Sequence, residues 1–219
     1  MQTLKVLAVL LSYPDINVYK NVDELAEVLK QESLLSKKTL KELLSFIEDY
    51  KNKDFLELQE RFVSTFDRSR AHCLNLFEHI HGESRDRGPA MVDLAQMYAK
   101  KNLFVDKKEL PDYLPVFLEY LSLCDEKEAI ESLGDTIDII ALIGGQLKKN
   151  ESPYHIIFSA LEELSNAKVN KFKVAEAIQN SPKEPETLEE LDELWQEQEA
   201  FGGESSECST CETSATLTH

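Results

Sequence analysis

The sequence predicts an all-α protein, a single-domain bundle of about ten helices followed by a disordered acidic C-terminal tail. Three observations carry that prediction. Apolar residues recur at spacings of three and four along most of the chain, as they do on helices with one buried face. No segment shows the strict alternation of a half-buried strand. Seven glycines and seven prolines are few for 219 residues, which argues against sandwiches, barrels and glycine-rich nucleotide folds. A chain of that length buries a proper core, and one domain is the default.

Each helix has its own stripe. Leu4, Leu7, Ala8 and Leu11 share a face, and Pro14 marks the stop. Val22, Leu25, Ala26 and Leu29 form the second helix, with Asn21 or Asp23 available to cap it. Ser36 opens the third, striped by Leu40, Leu43, Leu44 and Ile47, and Asp54 precedes a fourth carrying Phe55, Leu58, Phe62 and Phe66. After a polar stretch, Pro89 suits the first turn of a helix with Ala90, Met91, Leu94, Ala95 and Tyr98. Residues 100–109 read as a charged connection, and Leu110-Pro111-Asp112-Tyr113-Leu114-Pro115 leads into a helix faced by Val116, Phe117, Tyr120, Leu121 and Cys124. Ile130 and Leu133 continue after a turn at Cys124-Asp125. Gly134-Asp135 offers a break before Ile137, Ile140, Ala141, Ile143 and Leu147. The pair Gly144-Gly145 inside that pattern costs helix stability, which predicts another backbone packed close against it. Ser152-Pro153 begins a helix with Ile156, Ile157, Ala160, Leu161 and Leu164, and residues 172–178 form a shorter one.

The predicted organisation is a helical domain over residues 1–180, an acidic amphipathic helix over 181–200 (Leu188, Leu191, Leu194, Trp195), and a disordered tail over 201–219. Residues 181–219 hold eleven acids and one lysine, so −10 of the −17 net charge lies there and −7 in the remainder. A nucleic-acid partner is excluded on that balance, because binding phosphate relies on clustered Lys and Arg. No apolar run reaches the ~18 residues of a membrane span, and Leu4 to Leu11 lacks the flanks of a signal peptide, so the expected location is the cytoplasm, without membrane insertion. Cys73 and Cys124 sit in apolar helical patterns as packed thiols, while Cys208-x-x-Cys211 lies in a Ser/Thr/Glu-rich tail that supplies no further metal ligands.

The polar stretch is the one segment that amphipathic helices do not explain. Glu78, His79, His81, Glu83, Ser84, Arg85 and Asp86 crowd around Gly82, with Arg87 and Gly88 following and Asp67-Arg68 upstream. Glu78-x-x-His81 has the spacing of a di-iron ligand pair, but a second pair and two more inward carboxylates are missing. Ser84 lacks a base and an orienter. Gly82 and Gly88 bracket Arg85 and Arg87 ahead of a helix N-terminus, a weak anion-site signal without a phosphate-binding fingerprint. Equally, Arg85 and Arg87 can pair with Glu78, Glu83, Asp86 or Asp67 as a latch between helices. The residues alone leave these readings open, including a small metal- or nucleotide-binding helical enzyme built on the cluster from Glu78 to Arg87.

A longer pattern adds to them. Phe66-Asp67-Arg68, Leu76 to Gly88 and Ala90-Met91-Val92-Asp93-Leu94 together resemble the signature of the NarJ family, assembly chaperones of respiratory nitrate reductase. Leu11-Ser12-Tyr13-Pro14 and the run from Glu109 to Leu121 support the resemblance, which covers roughly residues 1–200. The chain departs from the family at Asn75, where His is expected, and at Pro89, where Gln is usual. The resemblance implies a TorD-like helical chaperone without enzymatic activity, catalytic residues, metal or cofactor. It implies as partners the N-terminal segment of an apo nitrate reductase α-subunit and the machinery that inserts the molybdenum cofactor. Carried over position by position, the implied client-binding residues are Asp67, Arg68, Glu78, His79, His81, Glu83, Ser84, Arg85, Asp86 and Arg87, with Tyr113, Leu114, Phe117 and Tyr120 as groove walls.

Overall fold

The amphipathic stripes become helices in the computed structural model, which describes residues 1–80, 86–106 and 109–180. Among the described residues twelve α-helices follow one another: α1 (Gln2–Leu10), α2 (Ile16–Lys20), α3 (Val22–Glu32), α4 (Lys37–Asn52), α5 (Phe55–Phe62), α6 (Leu76–Ile80), α7 (Arg87–Lys100), α8 (Leu114–Leu123), α9 (Glu126–Asp135), α10 (Ile137–Lys149), α11 (His155–Ser165) and α12 (Lys171–Asn180). Among the described residues no strand forms; the one extended pairing is an isolated bridge between Asn75 and Tyr113. Residues 181–219, with the expected acidic helix and tail, lie outside the described residues.

Side-chain caps start several helices where free amides need acceptors. Ser36 Oγ accepts from Thr39 N–H at 3.3 Å, Asp54 from Leu56 N–H at 2.9 Å and Asp125 from Glu128 N–H at 2.9 Å. Asp15 caps α2 through Asn17 N–H at 2.7 Å. That helix escaped the sequence pattern because none of its five residues is buried. Asn21 does not cap α3; its amide donates instead to Asn17 O at 2.9 Å and closes α2. Two further caps come from distant glutamates. Glu32 at the end of α3 accepts from Gln2 N–H, Thr3 N–H and the Thr3 hydroxyl at 2.6–2.7 Å, and Glu163 of α11 accepts from Ser36 N–H and the Ser36 and Thr39 hydroxyls.

The core is continuous from α1 through α8 to α11. Leu4, Leu7 and Leu11 meet it from one side, Leu114, Leu118 and Leu121 from the middle, and Ile157, Phe158 and Leu161 from the other. Each such side chain contributes roughly 1.5–3 kcal/mol by leaving water. Gly144 lets α10 and α11 approach: a Cβ there would stand 2.7 Å from Phe158 Cβ, and one at Gly145 would overlap the Ile178 methyl of α12. Side chains, rather than the expected backbone, therefore fill both notches.

Other boundaries differ from the stripe. The single helix expected from Asp54 to Phe66 is α5 followed by a π-helical turn, Val63–Asp67, which carries Phe66 into the core. Gly134 lies within α9, which ends at Asp135, so the break falls at Thr136. The helix expected from Ser152-Pro153 starts at His155, because residues 151–154 form a turn.

Candidate functional site

Among the described residues, Glu78 and Arg87 of the polar stretch come together beside a carboxylate that sequence reading left among its neighbours, Asp112. The π-helical turn ends at Asp67, a 3-10 turn follows over Arg70–His72, and residues 74–76 then run antiparallel to 112–114. Leu114 N–H donates to Leu74 O at 2.8 Å and Leu76 N–H to Asp112 O at 3.0 Å. This pairing carries Asp112 wholly out of solvent, at 0% exposure. A buried carboxylate is tolerated only with donors around it. Asn75 Nδ2 supplies one at 3.1 Å and Phe77 N–H, in the first turn of α6, another at 3.1 Å. Arg87 Nη2 stands 3.8 Å from Asp112 Oδ2 and 3.4 Å from Glu78 Oε1, so one guanidinium ties α7 to α6 and to the segment before α8.

Neighbouring groups brace the same junction. His79 Nε2 bonds Cys73 O at 2.8 Å; a carbonyl only accepts, so that nitrogen carries the proton. Tyr98 of α7 donates its hydroxyl to Pro111 O at 2.7 Å. His72 is buried between Thr65 O, 3.2 Å from Nδ1, and Asn150 Nδ2, 3.3 Å from Nε2. Burial pushes the Cys73 thiol up to about 12, so it stays protonated at neutral pH. Burial likewise raises Asp67, and it raises the Tyr113 phenol with help from the charges of Glu109 and Asp67.

The carried-over residues divide by position. Glu78 and His79 lie in α6, Asp86 immediately precedes α7 without a side-chain cap bond and Arg87 begins it, while Asp67 and Arg68 sit at the exposed end of the π-helical turn. His81, Glu83, Ser84 and Arg85 lie outside the described residues. Part of the latch is present as the Arg87–Glu78 pair. Leu114, Phe117 and Tyr120 are buried core side chains, which leaves Tyr113 as the half-exposed member of the four groove-wall candidates. Asp112, Asn75 and Tyr98 were missed as site residues. The available signal was an acid inside the otherwise apolar run Leu110 to Leu114, which demands internal partners.

Two surfaces adjoin the junction. Arg68 lines a surface cavity of about 560 Å³ with Tyr13, Leu56, Arg61 and Ser64. On the other side α7 buries only Tyr98 among fourteen residues, and Ile80, Val92, Phe104 and Leu110 expose large apolar side chains on α6, α7 and the connection to α8. Among the described residues no group of three His, Cys, Asp or Glu could hold a metal, and no helix is long and apolar enough to cross a membrane.

A family model described as nitrate reductase delta subunit matches residues 24–155. Over 199 residues the chain is 39% identical to the nitrate reductase molybdenum cofactor assembly chaperone NarJ of Escherichia coli K12, covering 91% of this chain and 84% of that protein. The chain belongs to the nitrate reductase delta subunit family. Identity is also 39% over 199 residues to NarW of the same strain, named a probable chaperone of the same kind, covering 91% of this chain and 83% of NarW. A Bacillus subtilis protein named probable NarJ is 27% identical over 74% of this chain and 89% of its own length. In this member of the family the position of Asn75 is explained by its bond to Asp112, since a side-chain donor is what that carboxylate needs there.

Proposed function

We infer that the chain is an assembly chaperone for nitrate reductase that holds the N-terminal segment of the apo catalytic subunit during molybdenum cofactor insertion. The names of its relatives support the maturation role, and a non-catalytic holding function accords with them. The observation that carries the segment-binding part is α7. This helix is anchored at its start by Arg87 and near its end by Tyr98, yet between them it leaves Val92 exposed and Met91, Leu94 and Ala95 half-buried. Among the described residues at the junction beside it, the acids Glu78, Asp86, Asp67 and Glu109 outnumber the bases Arg68, Arg70 and Arg87. An apolar helix face with an acidic border suits a basic amphipathic helix, recognised by packing and steered by charge. Such a holder acts in the cytoplasm, where the cofactor insertion machinery would meet the bound client.

The enzyme reading is less well served, because its described members Glu78, His79 and Arg87 are committed to structure. Arg87 pairs with two carboxylates, Glu78 among them, and His79 is bonded to a backbone carbonyl. Calorimetry with a synthetic peptide of the first ~20–40 client residues tests the proposal; micromolar or tighter binding is expected. The double change Val92→Ser with Phe104→Ser should weaken it at least tenfold while leaving the melting temperature near wild type, since exposed positions contribute within about 0.5 kcal/mol to stability. Undiminished binding by that variant would move the client site away from α7.

A further inference from the structure

The last described helix, α12, is a helix of the very type proposed as client. Its sequence Lys171-Phe172-Lys173-Val174-Ala175-Glu176-Ala177-Ile178 places two lysines in the first turn and apolar residues at 174, 177 and 178. Yet none of residues 171–179 is buried, and Phe172 is 82% exposed. It lies along α10, held chiefly at its two ends. Asp138 of α10 accepts from Asn170 N–H at 2.9 Å, just before the first turn, and Lys149 Nζ reaches Ile178 O at 3.5 Å, at the last turn. A carboxylate thus meets the positive end of α12 and an ammonium its negative end, matching the helix dipole. Between them the Ile178 methyl occupies the notch left by the missing Cβ of Gly145. The half-buried Glu162 of α11 has its carboxyl pushed up by burial, and Lys171 and Lys148 draw it back down, so the basic first turn also has an acidic counterpart.

The geometry points to α12 as a built-in stand-in for the client: it fills on α10 a groove that a second basic amphipathic helix of the client, beyond the one held on α7, takes when α12 lets go. This rests on the chaperone reading above. Everything the groove recognises is generic to such a helix: free amides at one end, free carbonyls at the other, a branched apolar side chain at the notch and lysines in the first turn. A helix without a buried residue over 171–179 leaves at little cost, whereas the groove beneath keeps its shape because α10 is fixed by α11 through Gly144 and Phe158. Occupancy by α12 lowers the apparent affinity for client by the fraction of molecules in which the groove is closed. It also covers an apolar surface between clients.

A reversible lock tests this on the full chain. In a background with Cys73, Cys124, Cys208 and Cys211 replaced by Ala, Gly145→Cys with Ile178→Cys places two thiols where the Ile178 Cγ1 now stands 3.6 Å from the Cβ position of residue 145. That is within reach of a disulfide. Affinity for the synthetic client peptide is measured by calorimetry in the oxidised and reduced protein, with circular dichroism confirming equal helicity. The expectation is binding weakened about tenfold or more on oxidation and restored by reductant, and binding tightened several-fold by Ile178→Ala in the unlocked chain. Equal affinity in the two redox states, or weaker binding by Ile178→Ala, overturns the inference and leaves the chaperone reading standing. Failure of every form, wild type included, to bind the peptide overturns both.

Discussion

Helices α8 and α12 have ten residues each and lie at opposite extremes of burial. Seven residues of α8 are buried, and over residues 171–179 of α12 there are none. Both have the periodicity of amphipathic helices, so periodicity alone does not separate a strut from a working surface. The separating quantity is how many faces a helix buries. α8 packs between α1 and α9 and is apolar nearly all round, while α12 lies on α10 along one narrow line. Helix α7 stands with α12, although its ends are pinned to the Asp112 junction. The teaching is that the described residues divide into a packed frame and lightly attached helices, α7 and α12 among them, and that mutations in the two classes should fail differently.

The strongest challenge to that division is Leu118→Ala in α8. Leu118 has no exposed surface, and truncation should cost about 2–5 kcal/mol, read as a large fall in melting temperature by circular dichroism. A loss under about 1 kcal/mol would mean that α8 is not the strut described here. Asp112→Ala comes next, because it strands the Asn75 amide, Phe77 N–H and part of the Arg87 charge. A cost of about 3 kcal/mol is expected, with Asp112→Asn recovering part of it by keeping an acceptor.

A smaller effect should appear in acid. Burial raises Glu32, but bonds from the Thr3 hydroxyl and from the Gln2 and Thr3 amides outweigh it, so its carboxyl titrates below the ordinary 4.5. For Glu163 burial is likewise outweighed, by Thr39 and Ser36. A carboxyl depressed in the folded state adds stability that is complete above the unfolded value and lost as pH falls through the folded one. Melting measured down from pH 6 should therefore stay flat for these two groups until about 4.5 and decline below it. The double change Glu32→Gln with Glu163→Gln should lower stability at neutral pH and flatten that decline; an unchanged acid slope would show that the caps contribute nothing.

The smallest stability effect is expected at the junction's outer edge. Arg87 keeps 27% of its side chain exposed and its partner Glu78 keeps 38%, which limits that pair to roughly 0–1 kcal/mol. Glu78→Gln, which leaves Arg87 beside Asp112, should leave a folded, helical protein whose nitrate reductase activity in complemented cells is impaired. A variant that melts far below wild type yet matures its client would place Glu78 with the frame.

Several features were legible in the residues because they are local. The stripes of α3, α4, α5, α8, α10 and α11 reflect a 3.6-residue period that any buried helix must show, and Ser36 and Asp54 announce caps because their donors lie two or three residues away. The family signature was legible as an ordered pattern over most of the chain. α2 and α6 were not, since five residues without a dominant apolar face carry no period to read. Tertiary structure alone decided the rest. Only the fold shows that Asp112 is buried against Asn75, Phe77 and Arg87, because these partners lie 25 to 37 residues away. Only the fold turns Leu114, Phe117 and Tyr120 into core rather than groove wall, and pairs Gly145 with Ile178. A period fixes which side of a helix is apolar. What covers that side depends on contacts between segments distant in sequence, and these exist only once the chain has closed its loops.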